Sequence, residues 1–329
     1  MTRYFLGADV GGTKTHLVLV TEEGRLAGFG EAGPGNHEVV GYDGLAAALE
    51  QALTQALSMA GIEAGQIAGA GFGVAGFDWD DQEAPTRAEI QKLNLSCPVG
   101  LVNDAALGLL AGSEEGWGIA VVSGTGCNCW GWDRTRQRIG RVTGGGLMMG
   151  ENAGASELMF EAMRAVAHEW TRRGPATRLS ELFVKRAGAR SLEDLLEGLM
   201  MGQYELDASA APLVFQAANN GDAVALDLVD WAGRELGELA CAVVRQLNFQ
   251  DETFDVVLLG SMFTNGSDLT TPMRRVLHAL APGARLTRLT VPPVVGAVML
   301  GFNQAGIYPG AQLRAAVAEA IAAHRKAAA

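Results

Sequence analysis

The sequence has a deficit of basic residues. It contains 25 Lys and Arg against 37 Asp and Glu, which gives a formal net charge of −12 at pH 7. A nucleic-acid-binding face needs an excess of Lys and Arg to pair with phosphates, so this balance argues against nucleic acid as a partner. A small anionic ligand such as a nucleotide remains compatible with it, because local donors outweigh a screened global charge.

Long apolar runs and cysteine pairs are also lacking. No apolar run reaches the length of a membrane span, and residues 1–20 lack the basic start and small-residue cleavage site of a signal peptide. No Cys-x-x-Cys pair or disulfide framework exists among the four cysteines, which are Cys97, Cys127, Cys129 and Cys241. Cys127 and Cys129 share one face of a predicted strand, and two thiols make a poor metal site, so we expect them to be buried. These absences predict a soluble cytoplasmic protein with no membrane partner.

Apolar residues and glycine are what the sequence has in quantity. The 329 residues are enough for two domains of ordinary size, and 48% of them are apolar, so a sizeable core is available. The 44 glycines are concentrated at the ends of predicted strands and in turns. Leu45, Leu49, Leu53 and Leu57 predict a core-facing helix over residues 43–60, which ends at Gly61. Predicted strands and helices together indicate an α/β protein.

The most informative stretch is Gly7-Ala8-Asp9-Val10-Gly11-Gly12-Thr13-Lys14-Thr15. Predicted strands over residues 4–8 and 16–20 flank it. Glycine lets the backbone approach an anion closely, and the N–H groups of such a turn can bind phosphate. Asp9 repels phosphate but can hold a divalent cation that phosphates share. The stretch is not a P-loop, because Thr13 precedes Lys14 and no helix follows; a plain β-hairpin is the alternative.

The same pattern occurs twice more. Ser123-Gly124-Thr125-Gly126 connects predicted strands over residues 117–122 and 127–132, and Gly260-Ser261-Met262-Phe263 follows a predicted strand over residues 256–259. The recurrence of the first hairpin in the second suggests a duplicated domain, in which each half offers one phosphate-binding turn.

The string Gly71-Phe72-Gly73-Val74-Ala75-Gly76 spells the dinucleotide-binding fingerprint. In that fingerprint the glycines lead from a strand into a helix. Here they lie within the predicted strand over residues 67–74, and an acidic loop follows. A Rossmann-type site is therefore not expected.

Polar residues beside other predicted elements are candidates for ligand contacts. Asn103 and Asp104 lie between a predicted strand and a predicted helix (residues 105–111). Asp104 suits two roles: N-cap of that helix, or general base at the carboxyl end of the strand. Asn36 and His37, in a loop framed by glycine and proline, either contact a ligand or are ordinary surface residues.

The order of these motifs resembles the actin-like ATPase fold of sugar kinases, actin and heat-shock chaperones. Within that fold, essentially the whole chain resembles the N-acetylglucosamine kinase branch of the BadF/BadG/BcrA/BcrD-type ATPase family. GADVGGTKT, VVSGTGCN and LLGSMF correspond to its first phosphate, second phosphate and adenosine motifs. LVNDAALG corresponds to the inter-domain segment with the catalytic aspartate, and GPGNH and GGGLMMGE to two sugar-contacting loops.

The resemblance implies an α/β protein with the two-domain actin-like ATPase (ribonuclease H-like) fold and an interdomain cleft. The implied domains are residues 1–113 and 114–308, with a C-terminal helix (residues 309–329) that packs back on the first. The implied activity is ATP-dependent phosphorylation of the 6-hydroxyl of N-acetylglucosamine or a related amino sugar, by a homodimer.

The resemblance also assigns roles to single residues. Asp104 would accept the proton of the sugar hydroxyl, and Asp9 would position Mg²⁺ directly or through water. The residues implied to bind ATP are Asp9, Gly11, Gly12, Thr13, Lys14, Ser123, Gly124, Thr125, Gly126, Gly260, Ser261 and Met262. The residues implied to bind the sugar are Asn36, His37, Gly76, Asn103, Asp104, Asn128, Gly145 and Glu151.

One loop departs from the family pattern. An Asp-Glu-Gly-Ser run usually follows the glycine segment, whereas this chain has Glu151-Asn152-Ala153-Gly154. Glu151 can still accept sugar hydroxyls, or it can face the ammonium of glucosamine, so glucosamine and other hexoses are alternative substrates. A non-kinase ATPase activator is the alternative function, although the cysteines lie in strands and helices unsuited to a cluster. A sugar-responsive repressor is not favoured, because no DNA-binding helix pair precedes Tyr4.

Overall fold

The structure is a computed structural model that describes residues 2–264 and 268–328. Met1 and Ala329, at the ends of the predicted ranges 1–113 and 309–329, lie outside the described residues. The strands are β1 (Tyr4–Val10), β2 (Thr15–Thr21), β3 (Leu26–Ala32), β4 (Ile67–Val74), β5 (Val99–Asn103), β6 (Gly118–Ser123), β7 (Cys127–Trp132), β8 (Ile139–Arg141), β9 (Phe254–Leu259) and β10 (Ala284–Arg288).

Helices account for much of the rest of the described chain. They are α1 (His37–Ala60), α2 (Glu83–Gln91), α3 (Asp104–Gly112), α4 (Ala155–Trp170), α5 (Arg178–Ala187), α6 (Leu192–Met200), α7 (Pro212–Asn219), α8 (Ala223–Leu247), α9 (Thr270–Leu280), α10 (Val294–Gln304) and α11 (Ala311–Ala328). Among the described residues, no helix combines the length and apolar character that crossing a membrane requires.

Two five-stranded sheets form the framework, and each lies mainly in its own compact unit. Their strand orders are β3-β2-β1-β4-β5 and β10-β9-β6-β7-β8. In the first sheet β1 pairs antiparallel with β2 and parallel with β4. The described chain up to Ala120, together with Asp133–Arg136 and the part from Thr287 onward, forms the first unit. Val121–Trp132 and Gln137–Leu286 contribute the second unit.

Helix α1 covers one face of the first sheet with the predicted leucine stripe. Leu45, Leu49 and Leu53 are buried against apolar residues of β1, β2 and β4, and Leu57 is partly buried beside them. The helix begins earlier than its periodicity predicts, because Asn36 caps it and Gly41 (φ +70°) lets the first turn bend. The predicted core role of the stripe is confirmed.

Helix α10 covers the other face and explains Gly71, the first of the glycines that spell the dinucleotide fingerprint. A Cβ on Gly71 would lie 2.2 Å from the carbonyl oxygen of Ala297, and one on Gly7 would lie 2.4 Å from the backbone nitrogen of Val298. The Phe5 and Phe302 rings stack beside them with centroids 3.8 Å apart. Glycine is needed in these strands because a helix backbone lies almost in contact with the sheet.

The structure contains several elements that the sequence patterns did not predict. The acidic loop expected after β4 continues into α2, where Pro85 occupies the first turn, a position that tolerates proline. Helix α5 was also not predicted, nor were β8 and β10, which are short and partly exposed and so lack a clear apolar alternation.

Candidate active site

The first glycine turn (residues 11–14) closes the β1–β2 hairpin. The N–H of Gly11 donates to the carbonyl of Lys14 at 3.0 Å, and the N–H of Gly35 donates to the carbonyl of Gly11 at 3.0 Å. Gly12, Thr13 and Lys14 are exposed at the tip. Backbone hydrogen bonds therefore fix the two ends of the turn, and its tip is accessible, as an anion-binding turn requires.

In the first unit the charges of two carboxylates, Asp9 and Asp78, act on a third, that of Asp104. Burial, and to a smaller extent the nearby charges of Asp9 and Asp78, raise the pKa of Asp104 from 3.8 to about 7. Burial also raises the pKa of Asp9 to about 6, although Arg325 and Lys14 oppose the effect. A buried carboxylate whose ionisation is hindered by neighbouring carboxylates suits a site that binds a cation or holds a proton near neutral pH.

The donor set at Asp9 fits Mg²⁺ held mainly by water and substrate. Among residues 2–264 and 268–328, no group of three His, Cys, Asp or Glu side chains is arranged as a metal cage. Mg²⁺ commonly binds through one or two carboxylates and keeps several waters beside phosphate oxygens. The carboxylate of Asp9, at the end of β1 beside the first glycine turn, offers that kind of anchor.

The start of α3 differs from the sequence interpretation by one residue. Asn103, and not Asp104, is the N-cap, because its Oδ1 accepts the N–H of Ala105 at 2.9 Å. The Nδ2 of Asn103 donates to the carbonyl of Phe77 at 3.1 Å and to Oδ1 of Asp78 at 3.0 Å. The interpretation of Asp104 as the helix cap is therefore wrong, and Asn103 ties the site to the segment after β4.

Asp78 is a site residue that sequence reasoning missed. Asp78 was interpreted only as part of an acidic loop, yet its charge acts on Asp104. The available signal was its position just beyond the carboxyl end of β4, where ligand-binding residues of α/β sheets collect.

The predicted sugar-binding residues Asn36 and Gly76 lie against each other. The Oδ1 of Asn36 accepts the N–H of Glu38 at 2.8 Å as the cap of α1. Gly76 has φ +79°, and a Cβ there would lie 2.3 Å from the same oxygen. His37 stacks on Tyr42 with ring centroids 4.6 Å apart, and its buried Nδ1 has no hydrogen-bond partner among the described residues.

The second glycine turn (residues 123–126) rests on the first turn of α4. The N–H of Ala155 donates to the carbonyl of Gly124 at 2.9 Å, and the N–H of Ser156 donates to the carbonyl of Thr125 at 2.9 Å. The hydroxyl of Ser123 is already engaged, since it donates to the carbonyl of Ala153 at 2.5 Å. The side chain of Thr125 therefore remains the accessible hydroxyl of this turn.

The third glycine turn packs directly on the second. Gly260 has φ +104°, and a Cβ there would lie 2.1 Å from the carbonyl oxygen of Ser123. A cavity of about 420 Å³ lies beside both turns; its lining residues are Thr125, Ala155, Asp207, Ala208, Ser209, Ala211, Pro212, Ser261 and Met262. Residues 207–212 form a wall that the sequence did not indicate. The cavity has the size of a site for a small organic group.

Thr143 holds Glu151, the first residue of the loop that departs from the family pattern (residues 151–154). Glu151 is only 4% exposed, and its Oε1 accepts both the N–H and the hydroxyl of Thr143, at 2.6 and 2.8 Å. Its Oε2 is buried without a hydrogen-bond partner in the described structure. Gly145 lies next to this pair, because its N–H donates to Oγ1 of Thr143 at 3.2 Å. Asn128 is half-buried on β7.

The cysteines of β7 are buried, as expected from their alternation. Burial raises the pKa of the Cys127 thiol to about 12 and holds that of Cys129 well above its ordinary value. The sulfur of Cys127 accepts the N–H of Ala153 at 3.4 Å. These thiols therefore serve packing rather than nucleophilic chemistry.

Two curated relatives are similar to this chain over nearly their whole length. The N-acetylmuramic acid/N-acetylglucosamine kinase of Clostridium acetobutylicum is 26% identical over 305 residues, which cover 92% of this chain and 99% of the relative. The N-acetyl-D-glucosamine kinase of Dictyostelium discoideum is 25% identical over 316 residues, which cover 91% and 98%.

A solved structure shares the fold. A protein of Chromobacterium violaceum, provisionally named an N-acetylglucosamine kinase, superimposes with a TM-score of 0.68 at 24% identity, covering 91% of this chain and 98% of its own. The predicted actin-like ATPase fold is confirmed. The profile of the BadF/BadG/BcrA/BcrD ATPase family matches residues 6–301, so the chain belongs to that family.

Proposed function

We propose that this protein is an ATP-dependent kinase that phosphorylates the 6-hydroxyl of N-acetylglucosamine or a closely related amino sugar. The observation that carries the proposal is the carboxylate cluster at the strand ends, in which Asp104 has a pKa of about 7 beside Asp9. Similarity to proteins named N-acetylglucosamine kinases, over nine-tenths of the chain, supports the choice of sugar.

Asp104 is the proposed general base. A base works best when its pKa lies near the operating pH, because it is then both largely ionised and a good proton acceptor. A value of about 7 meets that condition, whereas an ordinary aspartate at 3.8 would be a weak base. Asp104 would take the proton of the sugar hydroxyl as the oxygen attacks the terminal phosphate of ATP.

Asp9 is the proposed anchor for Mg²⁺, and both glycine turns are proposed phosphate sites. Bound Mg²⁺ would supply charge neutralisation for the phosphates, the main requirement of phosphoryl transfer besides alignment. In the first unit the exposed tip of the turn offers Thr13 and Lys14 with the amide of Gly12, whereas the amide of Gly11 is already engaged by the carbonyl of Lys14. In the second unit the turn offers Thr125 with the amide of Gly126, whereas the N–H of Gly124 already donates to the carbonyl of Gly126 at 2.9 Å. The structural observation that supports both phosphate sites is that backbone hydrogen bonds fix each turn.

The cavity of about 420 Å³ is the proposed site of the adenosine moiety. It lies beside Thr125, a proposed phosphate ligand, and it reaches Ser261 and Met262 of the third turn. Met262 is fully buried and would provide an apolar wall for a base. Asp207 and Ser209, which also line the cavity, offer polar groups.

Each unit, taken by itself, contains residues that are proposed sugar ligands. Asn36 and His37 in the first unit present an amide and a ring nitrogen, and the buried Nδ1 of His37 lacks a partner in the described structure. In the second unit Glu151 presents an unsatisfied carboxylate oxygen, and Gly145 with Ala153 leaves little side-chain bulk near it. Small residues of this kind leave room for a 2-acetamido group.

Comparison of kcat/KM for N-acetylglucosamine, glucosamine, glucose and N-acetylmuramic acid, at matched ATP and Mg²⁺, tests the proposal. We expect N-acetylglucosamine to exceed glucose by about tenfold or more, because a site that hydrogen-bonds a substituent leaves its own polar groups unpaired when that substituent is missing. A preference for glucosamine would assign Glu151 to an ammonium. ATP hydrolysis that no sugar affects would contradict a kinase and favour an ATPase activator.

We also propose, from the family resemblance, that the active protein is a cytoplasmic homodimer. Light scattering during size-exclusion chromatography measures the assembly directly. A monomeric mass at assay concentration would contradict the dimer.

A further inference from the structure

Glu151 has one satisfied and one unsatisfied carboxylate oxygen, although both are withdrawn from solvent. Oε1 accepts two hydrogen bonds from Thr143, one from its N–H at 2.6 Å and one from its hydroxyl at 2.8 Å. Oε2 is buried and has no hydrogen-bond partner among the described residues. The carboxylate is therefore half satisfied within the protein itself.

The two carboxylate oxygens of Glu151 differ in how many of their lone pairs are free to accept a hydrogen bond. A carboxylate oxygen has two lone-pair positions, so two donors from one residue saturate Oε1. Oε2 retains both of its positions. A buried oxygen left without donors costs free energy, and a charged group costs more than a neutral one. Two hydroxyl hydrogens of one ligand are the donors that would satisfy Oε2.

Thr143 connects this carboxylate to the glycine segment. Its hydroxyl donates to Oε1 of Glu151 and at the same time accepts the N–H of Gly145 at 3.2 Å. The resulting chain, from Gly145 N–H to Thr143 hydroxyl to Glu151 carboxylate, is continuous, and each bond polarises the next. A free glutamate side chain samples several rotamers, and fixing it costs conformational entropy. Thr143 removes that freedom before a ligand arrives.

We propose that Thr143 is a positioning residue, which occupies Oε1 of Glu151 so that Oε2 alone accepts two hydroxyl hydrogens of the sugar. The proposal rests on the proposed sugar kinase function and deepens it. In this arrangement the two carboxylate oxygens of Glu151 do not bind one sugar hydroxyl each. Both hydroxyls donate to Oε2, because Oε1 is occupied by Thr143. Thr143 touches neither reactant and acts through Glu151.

The chain contains a matched control for the test. Thr177, in the second unit, also donates its hydroxyl to a buried carboxylate, Oδ1 of Asp222 at 2.9 Å. It also accepts an N–H two residues further on, that of Leu179 at 3.2 Å. Thr177→Val thus removes the same two hydrogen bonds as Thr143→Val, but at the start of α5 and remote from Glu151 in the sequence.

The experiment measures KM for N-acetylglucosamine, KM for ATP, kcat and thermal stability of Thr143→Val, Thr143→Ser and Thr177→Val. We expect Thr143→Val to raise the sugar KM about tenfold, the loss typical of a hydrogen bond to a charged group, with the ATP KM within about twofold. Thr143→Ser retains the hydroxyl and should restore the sugar KM. Thr177→Val should lower thermal stability and leave both KM values unchanged.

Singly deoxygenated N-acetylglucosamine analogues identify the hydroxyls that bind Oε2. For an analogue that lacks such a hydroxyl, the penalty of Thr143→Val should shrink towards onefold, since the interaction it weakens is already absent. Additive penalties for every analogue would overturn the proposal. So would a Thr143→Val variant that is as unstable as Thr177→Val but keeps the parental sugar KM. An unaltered parent that phosphorylates no sugar would overturn the kinase function itself, a distinct outcome.

Discussion

Replacement of Asp104 by Asn should reduce activity and raise stability at neutral pH. The substitution removes the proposed base, and loss of general base catalysis typically costs about 10²- to 10⁴-fold in turnover. The fold should survive, because the cap of α3 is Asn103 and not the substituted residue. Asn is nearly isosteric with Asp, so the packing around the side chain is preserved.

The stability change follows from the raised pKa. Folded protein keeps the proton of Asp104 up to about pH 7, whereas the unfolded chain releases it near 3.8. Unfolding therefore releases a proton between these values, and the stability that Asp104 contributes is fully present below pH 3.8 and lost as the pH rises through 7. The interval corresponds to up to about 4 kcal/mol at about 1.4 kcal/mol per pKa unit.

Asp104→Asn carries no such charge, so the variant should be more stable than the parent at pH 8 and nearly equal to it at pH 4. Thermal unfolding at several pH values measures this gap. Asp251→Asn, at an exposed turn, is the matched control and should show no pH-dependent gap. In the parent, kcat/KM should rise with pH through about 7. Turnover of Asp104→Asn within about fivefold of the parent, or a gap that stays constant from pH 4 to 8, would refute the reasoning.

The other two predictions concern the nucleotide side. Thr125→Val removes one accessible hydroxyl at nearly constant volume, so ATP affinity should fall about tenfold while sugar affinity stays unchanged in calorimetric titration. A loss of sugar affinity with unchanged ATP affinity would mean that the second glycine turn is not a phosphate site. Gly260→Ala places a Cβ 2.1 Å from the carbonyl oxygen of Ser123 and should destabilise the protein by more than about 2 kcal/mol and raise the ATP KM. Gly306→Ala is the control, because φ there is +76° but nothing lies within 4 Å of the new Cβ. In thermal unfolding it should lose only the backbone penalty of about 1 kcal/mol. Equal losses of stability in the two variants would show that the contact with Ser123 is unimportant.

Local patterns in the sequence predicted the elements that carry the site. Each glycine turn was located correctly because glycine and hydroxyl residues after a buried strand form a turn by short-range preference alone. The leucine stripe of α1 was predicted for the same reason, since its period is contained in one helix. The family resemblance then supplied a candidate role for each turn, because the motifs occur in a specific order.

The partners of polar groups were decided only by tertiary structure. Asn103 and Asp104 are adjacent, and both are acceptable caps by residue type. Asn103 is the cap because its amide also donates to Phe77 and Asp78, which lie in the segment after β4. The sequence contains no local signal for such a pairing.

Gly71 and Glu151 also show what the sequence determines and what only tertiary structure decides. The sequence alone shows that Gly71 lies in a strand, but only packing reveals that Ala297 of α10 requires it to be glycine. The sequence likewise marks Glu151 as a departure from the family pattern, but only the fold brings Thr143 to its Oε1. Short windows determine which element forms, because turn chemistry and hydrophobic period act locally. Which atoms then meet depends on how separate elements and loops pack, because buried polar groups and close backbone contacts are satisfied only after packing.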